Sequence, residues 1–349
     1  MKILYATLLS PNDSSLYRMW ALERLGHTVI LFNAADYIPT SRVLRALSFR
    51  LVAGPGIDRL NRDLLHLVEA EKPDVLWADK LLWVRPRTLD RIRALGVATV
   101  SYMIDNAFGP RRDPGWRLYM KDIPHFDLHV VQRDSNFADY RSRGARDVIK
   151  VQTAYEPTLQ FPPPTPLPDS ERTRGVSFVG TPYDDRAATL TRLSELNEFP
   201  VTVSGSSRLW LNALGKPSFD KVFRNGELYR DQYREAIWHS RINLSFLTHS
   251  NQDEFVHKSF EIAACEGFLL AERSQGHLDR FKEDEEAVFF TGYDELLAKI
   301  RRYYPDEAAR NRIAAAGRVR AERDGYHNDR QVSIILERVE QIIARSENR

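Results

Sequence analysis

Lys258 and Glu261 stand three residues apart in a stretch whose other members are mostly apolar: Phe255, Val256, Phe260, Ile262, Ala263, Ala264 and Cys265. On a helix that spacing places a cation and a carboxylate on neighbouring faces. At the carboxyl edge of a sheet the ammonium, with the backbone amides of His257 to Ser259 at the helix start, suits a diphosphate. The carboxylate suits a ribose, because it accepts a hydrogen bond from each of two hydroxyls. Most Lys and Glu side chains on helices simply face water. A helix apolar on most sides leaves little such surface, so a charge there needs a partner.

Two further turns invite the same chemistry. Val176, Ser177, Phe178 and Val179 form an apolar strand running into Gly180, Thr181, Pro182 and Tyr183, with Asp184 or Asp185 placed to cap the next helix. A glycine there lets a phosphate or sugar approach the backbone, and the helix start favours an anion. Ser204 and Gly205 end the following strand in the same way. The same residues would equally serve as ordinary strand-to-helix turns. For proton abstraction the candidates are Asp105, at the end of the strand through Tyr102 and Ile104, and its rival Asp13, in the loop after the first strand. A strand-end Asp is also a common turn or helix cap. Arg111, Arg112 and Trp116 follow Asp105 as either an acceptor platform or a solvated basic loop with a packing Trp.

Several chemistries lack their signatures. There is no P-loop, no Gly-x-Ser-x-Gly elbow, no Cys/His set for zinc and no Asp-x-Asp for a divalent cation. Gly54-Pro55-Gly56 lacks the third glycine and the preceding strand of a dinucleotide fingerprint. The four acidic residues 283–286 suit a solvated loop better than a metal site.

The elements that position these residues alternate. Strands are expected at 2–8, 28–32, 74–78, 98–104, 127–131 and 147–151, separated by helical segments such as that of Val43, Leu44, Leu47 and Leu51. Residues 157–168 hold six prolines, which continue neither a helix nor a central strand and favour a stiff connection. The alternation then restarts with strands at 175–180, 200–204, 241–246, 267–271 and 287–290. The end is helical, with Val332, Ile335, Leu336, Val339, Ile342 and Ile343 on one stripe. Strands separated by helices imply parallel sheets. The expected fold is therefore α/β, with two Rossmann-like domains facing across a cleft and the last helix crossing back to the first. The expected boundaries are 1–156 plus 329–349 for the N-terminal domain, 157–172 for the linker and 173–328 for the C-terminal domain.

Composition agrees. The 349 residues suffice for two cores, and 43% hydrophobic with 28% charged residues is globular. A net charge of +2 shows no basic excess for nucleic acid. One cysteine excludes an internal disulfide, no run of apolar residues is long enough to span a membrane, and a cytoplasmic location is expected.

The run from Lys258 through Phe260, Glu261, Ala264, Cys265 and Gly267 to Leu270 resembles the signature of glycosyltransferases of group 1 related to spore-maturation proteins. Phe281, Glu285–Glu286, the segment Tyr293 to Leu296, Arg310, Ile313 and Gly317 extend the likeness, as does the strand opening at Phe178. The resemblance implies the GT-B fold, with a nucleotide-sugar donor on the C-terminal domain and a glycan or other acceptor on the N-terminal domain. It implies no tightly bound cofactor and no metal. It gives Asp253 the place of an acidic residue that touches the sugar in such enzymes. Two departures stand out: Lys258 for Arg, and Glu266 for Gly, which is expected to set a carboxylate near the nucleotide. A nucleotide-sugar epimerase or hydrolase of the same fold, or a non-catalytic binding module, shares these features.

Overall fold

The computed structural model of the chain describes residues 1–10, 12–111 and 113–347, with side chains described to Arg345. The chain divides into two compact units: residues 1–152 with 328–349, and residues 153–327.

Unit 1 opens with β1 (Lys2–Thr7), α1 (Ser14–Arg24), β2 (Thr28–Asn33), α2 (Arg42–Leu51), α3 (Pro55–Glu71) and β3 (Val75–Asp79). It continues through α4 (Pro86–Ala94), β4 (Ala98–Tyr102), α5 (Trp116–Asp122), β5 (Leu128–Val131), α6 (Ser135–Ser142) and β6 (Val148–Lys150). The six strands are parallel in the order β2-β1-β3-β4-β5-β6. Every residue of β3 and β4 is buried, as expected for central strands covered on both faces. At the carboxyl end of β3, Arg18 from α1 grips buried Asp79 through Nε at 2.6 Å and Nη2 at 2.8 Å, and the Tyr5 hydroxyl donates to the same carboxylate at 2.5 Å.

Unit 2 contains β7 (Val176–Val179), α7 (Arg186–Glu195), β8 (Val201–Ser204), α8 (Ser207–Val222), α9 (Arg230–Trp238) and β9 (Ile242–Ser245). It continues with α10 (His257–Ala264), β10 (Leu269–Glu272), α11 (Gln275–Leu278), β11 (Val288–Phe290), α12 (Gly292–Tyr303) and α13 (Glu307–Arg323). Its parallel sheet has the order β11-β10-β9-β7-β8. The chain then returns to unit 1 as α14 (Asn328–Glu347), which packs on α1 and lays Val332, Ile335, Leu336 and Val339 onto the core beneath β1, β3 and β4.

The proline-rich segment differs from the linker expected at 157–172. Unit 2 begins at Thr153, and the segment is part of it. Glu156 is fully buried, the Leu159 and Phe161 carbonyls accept from Arg234 and the Trp238 indole, and the Arg234 guanidinium lies 4.1 Å from the centre of the Phe161 ring. Prolines exclude a helix but not packing, and their neighbours here supply apolar and carbonyl contacts.

Candidate functional site

In unit 2 the strand order reverses between β7 and β9. Parallel sheets receive ligands outside the carboxyl ends of strands at such a switch point. The turn Gly180–Tyr183 leaves β7 at this edge, and the loop from Phe246 to Val256 leaves β9 and enters α10.

Backbone contacts lock the turn. Gly180 donates to the Ser204 carbonyl at 2.9 Å, and its own carbonyl accepts the Trp210 indole at 2.8 Å. A Cβ at Gly205 (φ +151°) would stand 2.2 Å from the Gly180 oxygen and 2.7 Å from the Trp210 nitrogen. Gly205 is therefore required by packing, and it serves the site by holding the turn. Gly180 (φ +157°) faces the site itself, since an added Cβ would lie 3.0 Å from the Phe178 ring and 3.6 Å from Lys258 Nζ.

α10 delivers the other half. It buries Ser259, Phe260, Ile262, Ala263 and Ala264, leaving Lys258 and Glu261 partly exposed on the remaining face. The Lys258 ammonium lies 5.5 Å from the centre of the Phe178 ring and 5.3 Å from that of Tyr233, and it forms no ion pair within 4 Å among the described residues. Burial, with a smaller push from Arg186, lowers its pKa to about 8 against the pull of Glu261. The Tyr233 hydroxyl donates to Glu261 Oε2 at 2.8 Å. Burial raises the Glu261 pKa, while Lys258 and that hydrogen bond oppose the rise.

Arg186 closes the group. It donates to the Thr181 carbonyl at 3.1 Å and the Leu247 carbonyl at 2.8 Å, stacks near Phe178 and Tyr183, and also has no carboxylate within 4 Å among the described residues. Burial lowers its pKa; the charges of Asp184, Glu272 and Asp253 oppose this. Two cations lacking ion-pair partners thus flank one glycine turn, beside a carboxylate held by a tyrosine. Such an arrangement suits an anion next to a hydroxyl-bearing group.

The remaining candidates are more dispersed. The Ser259 hydroxyl points inward. His277 Nδ1 lies 2.8 Å from the Glu272 carbonyl, an acceptor, so it carries the proton, and burial keeps the ring neutral with its pKa lowered to about 4. Nε2 then accepts from Ser259 at 2.8 Å, and Ser245 donates to Ser259 at 2.9 Å. Ser204 is likewise committed, donating to the Arg224 carbonyl at 2.6 Å and accepting from Arg174 at 2.8 Å. His257 opens α10 and Asp253 lies in the loop before it, where it accepts from Asn251 at 2.9 Å.

Neither Asp184 nor Asp185 caps α7 as expected: Asp185 occupies the N-cap position without a side-chain bond, and Asp184 accepts from the His249 amide at 3.0 Å. Glu266 is not beside Lys258. It follows the opposite end of α10 in a left-handed conformation (φ +53°), where Gly267 donates to the Ile262 carbonyl and Glu266 to that of Ala263. Eight residues of helix and cap separate it from Lys258 by about 12 Å. The acidic residues 283–286 form no metal cluster. Glu283 pairs with Arg273, and Asp284 binds Lys299 at 2.9 Å and Tyr303 at 2.8 Å. No set of three or more His, Cys, Asp or Glu side chains able to hold a metal occurs among the described residues.

In unit 1, Asp13 caps α1, accepting from the Ser15 amide at 3.1 Å. Asp105 lies beyond the carboxyl end of β4, 2.6 Å from Lys80 and 3.5 Å from Arg111. Lys80 adopts φ +49° and donates its amide to the Tyr102 carbonyl, so an uncommon backbone conformation aims it at Asp105. Arg111 lies 5.9 Å from the centre of the Trp116 ring. Arg112 lies outside the described residues. Tyr233 and Arg186 carry no motif of their own and Phe178 was legible only as part of its strand; they emerge as site residues because α9, α7 and β7 converge.

Residues 186–337 match the family model described as glycosyl transferase-like. No curated protein matches the chain in sequence. Among solved structures, the sucrose-phosphate synthase from Thermosynechococcus elongatus shares 13% identity over 99% of both chains, with a TM-score of 0.69. The trehalose-6-phosphate synthase OtsA shares 13% over 98% of this chain and 99% of its own, also at 0.69. Anabaena HepE in complex with UDP-glucose shares 14% over 97% of this chain and 99% of its own, at 0.65. The fold is that of GT-B glycosyltransferase structures, an α/β architecture with two Rossmann-like parallel sheets. No described helix is long and apolar enough to cross a membrane.

Proposed function

We propose that the protein is a metal-independent glycosyltransferase that takes its sugar from a nucleotide-activated donor bound in unit 2. The observation that carries this reading is the convergence of Lys258 and Arg186 on the Gly180 turn, three residues from Glu261 along α10. Lys258, Arg186 and the amides at the start of α10 neutralise the diphosphate as the sugar–phosphate bond breaks, which stabilises the leaving group where charge develops. Glu261, oriented by Tyr233, accepts the ribose hydroxyls. Asp253 contacts the sugar, and Gly180 with Thr181 lets the donor approach the backbone closely. The acceptor belongs to unit 1, where Asp105 takes the proton from the attacking hydroxyl. Asp13, already occupied as a cap, is the weaker candidate. The run from Lys258 to Leu270 supports placing the chain in the spore-maturation-related group, with carbohydrate biosynthesis in the cytoplasm as its setting.

The UDP and UDP-glucose complexes of HepE make uridine nucleotides the first ligands to test. A ligand at a hundred times its Kd stabilises a native protein by about 2.7 kcal/mol. One nucleoside diphosphate is expected to raise the melting temperature equally with magnesium and with EDTA, and Glu261→Ala to abolish the shift without altering the circular dichroism. A panel of nucleotides and nucleotide sugars giving no shift, or an unchanged shift in Glu261→Ala, overturns the donor assignment. Sugar release from, or isomerisation of, the nucleotide sugar without any acceptor would instead indicate a hydrolase or epimerase.

A further inference from the structure

β7 and β8 are apolar on one face only. Val176, Phe178, Val201 and Val203 enter the core of unit 2, while Ser177, Thr202 and Ser204 share the opposite face. A parallel strand packed on both faces is apolar throughout, so the polar face serves something other than packing. On that side Thr202 and Arg174 line a cavity of about 620 Å³, walled by α9 and by Arg224, Asn225 and Leu228. None of Gly180, Arg186, Lys258 and Glu261 lines it. Its volume falls in the range of small-molecule sites.

Arg174, two residues before β7, reaches along this face. Its Nε donates to the Ser177 hydroxyl at 3.2 Å and its Nη2 to that of Ser204 at 2.8 Å. The two serines take the side of the guanidinium formed by Nε and Nη2. Nη1 has no hydrogen bond among the described residues, so the end of the fork, Nη1 with the second Nη2 hydrogen, remains for an external acceptor. That pair matches two oxygens of one carboxylate or phosphate. Arg174 also has no carboxylate within 4 Å among the described residues, and burial lowers its pKa to about 10. The Thr202 hydroxyl, register partner of Ser177, is likewise without a hydrogen bond among the described residues. Buried polar groups are ordinarily paired.

The rest of the lining suits hydroxyls. Asn225, Gln232 and Glu235 offer amides and a carboxylate, and only Leu228 and Ala236 are apolar among the described lining residues. The titratable groups that face Arg174 across the cavity are Arg224, Glu235 and His239. Arg224 is folded onto the Asp220, Lys221 and Phe223 carbonyls, and His239 Nδ1 lies 2.8 Å from the Glu171 carbonyl. Two guanidinium groups against one carboxylate favour an anion. Glu235 favours one that also carries hydroxyls to donate to it.

We propose that this cavity is a second ligand site of unit 2, taking a small polyhydroxylated anion whose phosphate or carboxylate seats end-on against Arg174 beside Thr202. The site does not depend on the donor assignment.

Calorimetry on the full-length protein tests it, with glucose-6-phosphate, ribose-5-phosphate, gluconate and glucuronate as ligands and with glucose and inorganic phosphate as controls. At least one sugar anion is expected to bind, and its charged group tells a phosphate site from a carboxylate site. Each control lacks half of the contacts and should bind at least about tenfold more weakly. Arg174→Met should weaken binding roughly ten- to hundredfold, as for loss of charged hydrogen bonds. Gln232→Trp fills the cavity from exposed positions on α9 and leaves Arg174 and its serines in place. It should weaken binding comparably at an unchanged melting temperature, which keeps the test decisive should Arg174→Met fail to fold. Lys258→Met is expected to leave the affinity unaltered. Absence of binding by every sugar anion, or unchanged affinity in Arg174→Met or Gln232→Trp, overturns the proposal. So does glucose or inorganic phosphate binding as tightly as the sugar anion, or loss of binding in Lys258→Met, which would assign the ligand to the donor site.

Discussion

Lys258 is half-buried and lacks an ion-pair partner among the described residues, and its titration is the most direct readout of the proposed donor site. Burial lowers its pKa from the ordinary 10.5 to about 8. A bound diphosphate favours the ammonium, so the pKa in the complex lies higher than in the free protein. Affinity for a nucleoside diphosphate is therefore expected to be flat just below pH 8 and to fall above it, by up to tenfold per pH unit, with a proton taken up on binding. Calorimetry in buffers of different ionisation enthalpy measures that uptake. Lys258→Met should weaken binding roughly ten- to hundredfold below pH 8 and remove the inflection, as expected for loss of a charged hydrogen bond. An inflection that survives Lys258→Met belongs to another group. Stability of the unliganded fold runs in the opposite direction. The unfolded chain holds this proton up to the ordinary pKa, so Lys258 opposes folding below pH 8, and that penalty is relieved as pH rises toward 10.5.

Among the elements, α1 and β3 are joined by a buried bidentate pair, Arg18 with Asp79, which the Tyr5 hydroxyl completes. Removing one member leaves an uncompensated buried charge, at a cost of about 3–5 kcal/mol. Arg18→Met is expected to lower the thermal midpoint of unit 1 by on the order of 10 °C. Arg18→Met with Asp79→Leu should recover much of the loss, because the desolvation penalty disappears with both charges. A double variant as unstable as the single one would show that packing around Arg18, rather than its charge, holds α1 in place. In unit 2 the comparable device is the neutral chain from His277 through Ser259 to Ser245, which pins the first turn of α10 to β9 and so sets where Lys258 emerges.

At the scale of the molecule, the last helix completes the first unit. Val332, Ile335, Leu336 and Val339 of α14 are almost fully buried, and roughly 1.5–3 kcal/mol each amounts to about 10 kcal/mol of burial. That is comparable to the whole stability of a typical domain. Truncation after His327 is expected to unfold unit 1. Hydrogen exchange would then show loss of protection across β1, β3 and β4 while β7 to β11 stay protected. Retained protection in the unit 1 sheet would make α14 an accessory.

The amino-acid sequence by itself determined the short apolar strand runs and the helical runs between them, and from their alternation two parallel α/β sheets. It also determined the apolar stripe from Val332 to Ile343 and the pair Lys258 and Glu261 in an otherwise apolar segment. These are local patterns, readable because a covered strand is apolar throughout and a packed helix is apolar along one stripe. What only the tertiary structure decided are relations between residues distant in the chain. Tyr233 reaches Glu261 from another helix, and Arg186 and Phe178 meet Lys258 at the turn after β7. The Ser204 and Ser259 hydroxyls are consumed by internal partners. Glu266 is carried to the far end of α10, because a helix rises 1.5 Å per residue whatever follows it. Prolines 162–168 signalled a break in regular structure but not the surface they pack on, since a residue's backbone restriction says nothing of its neighbours in space. The stripe of α2 was legible as helical spacing. Its exposure was not, because period alone cannot tell which face the rest of the fold will cover.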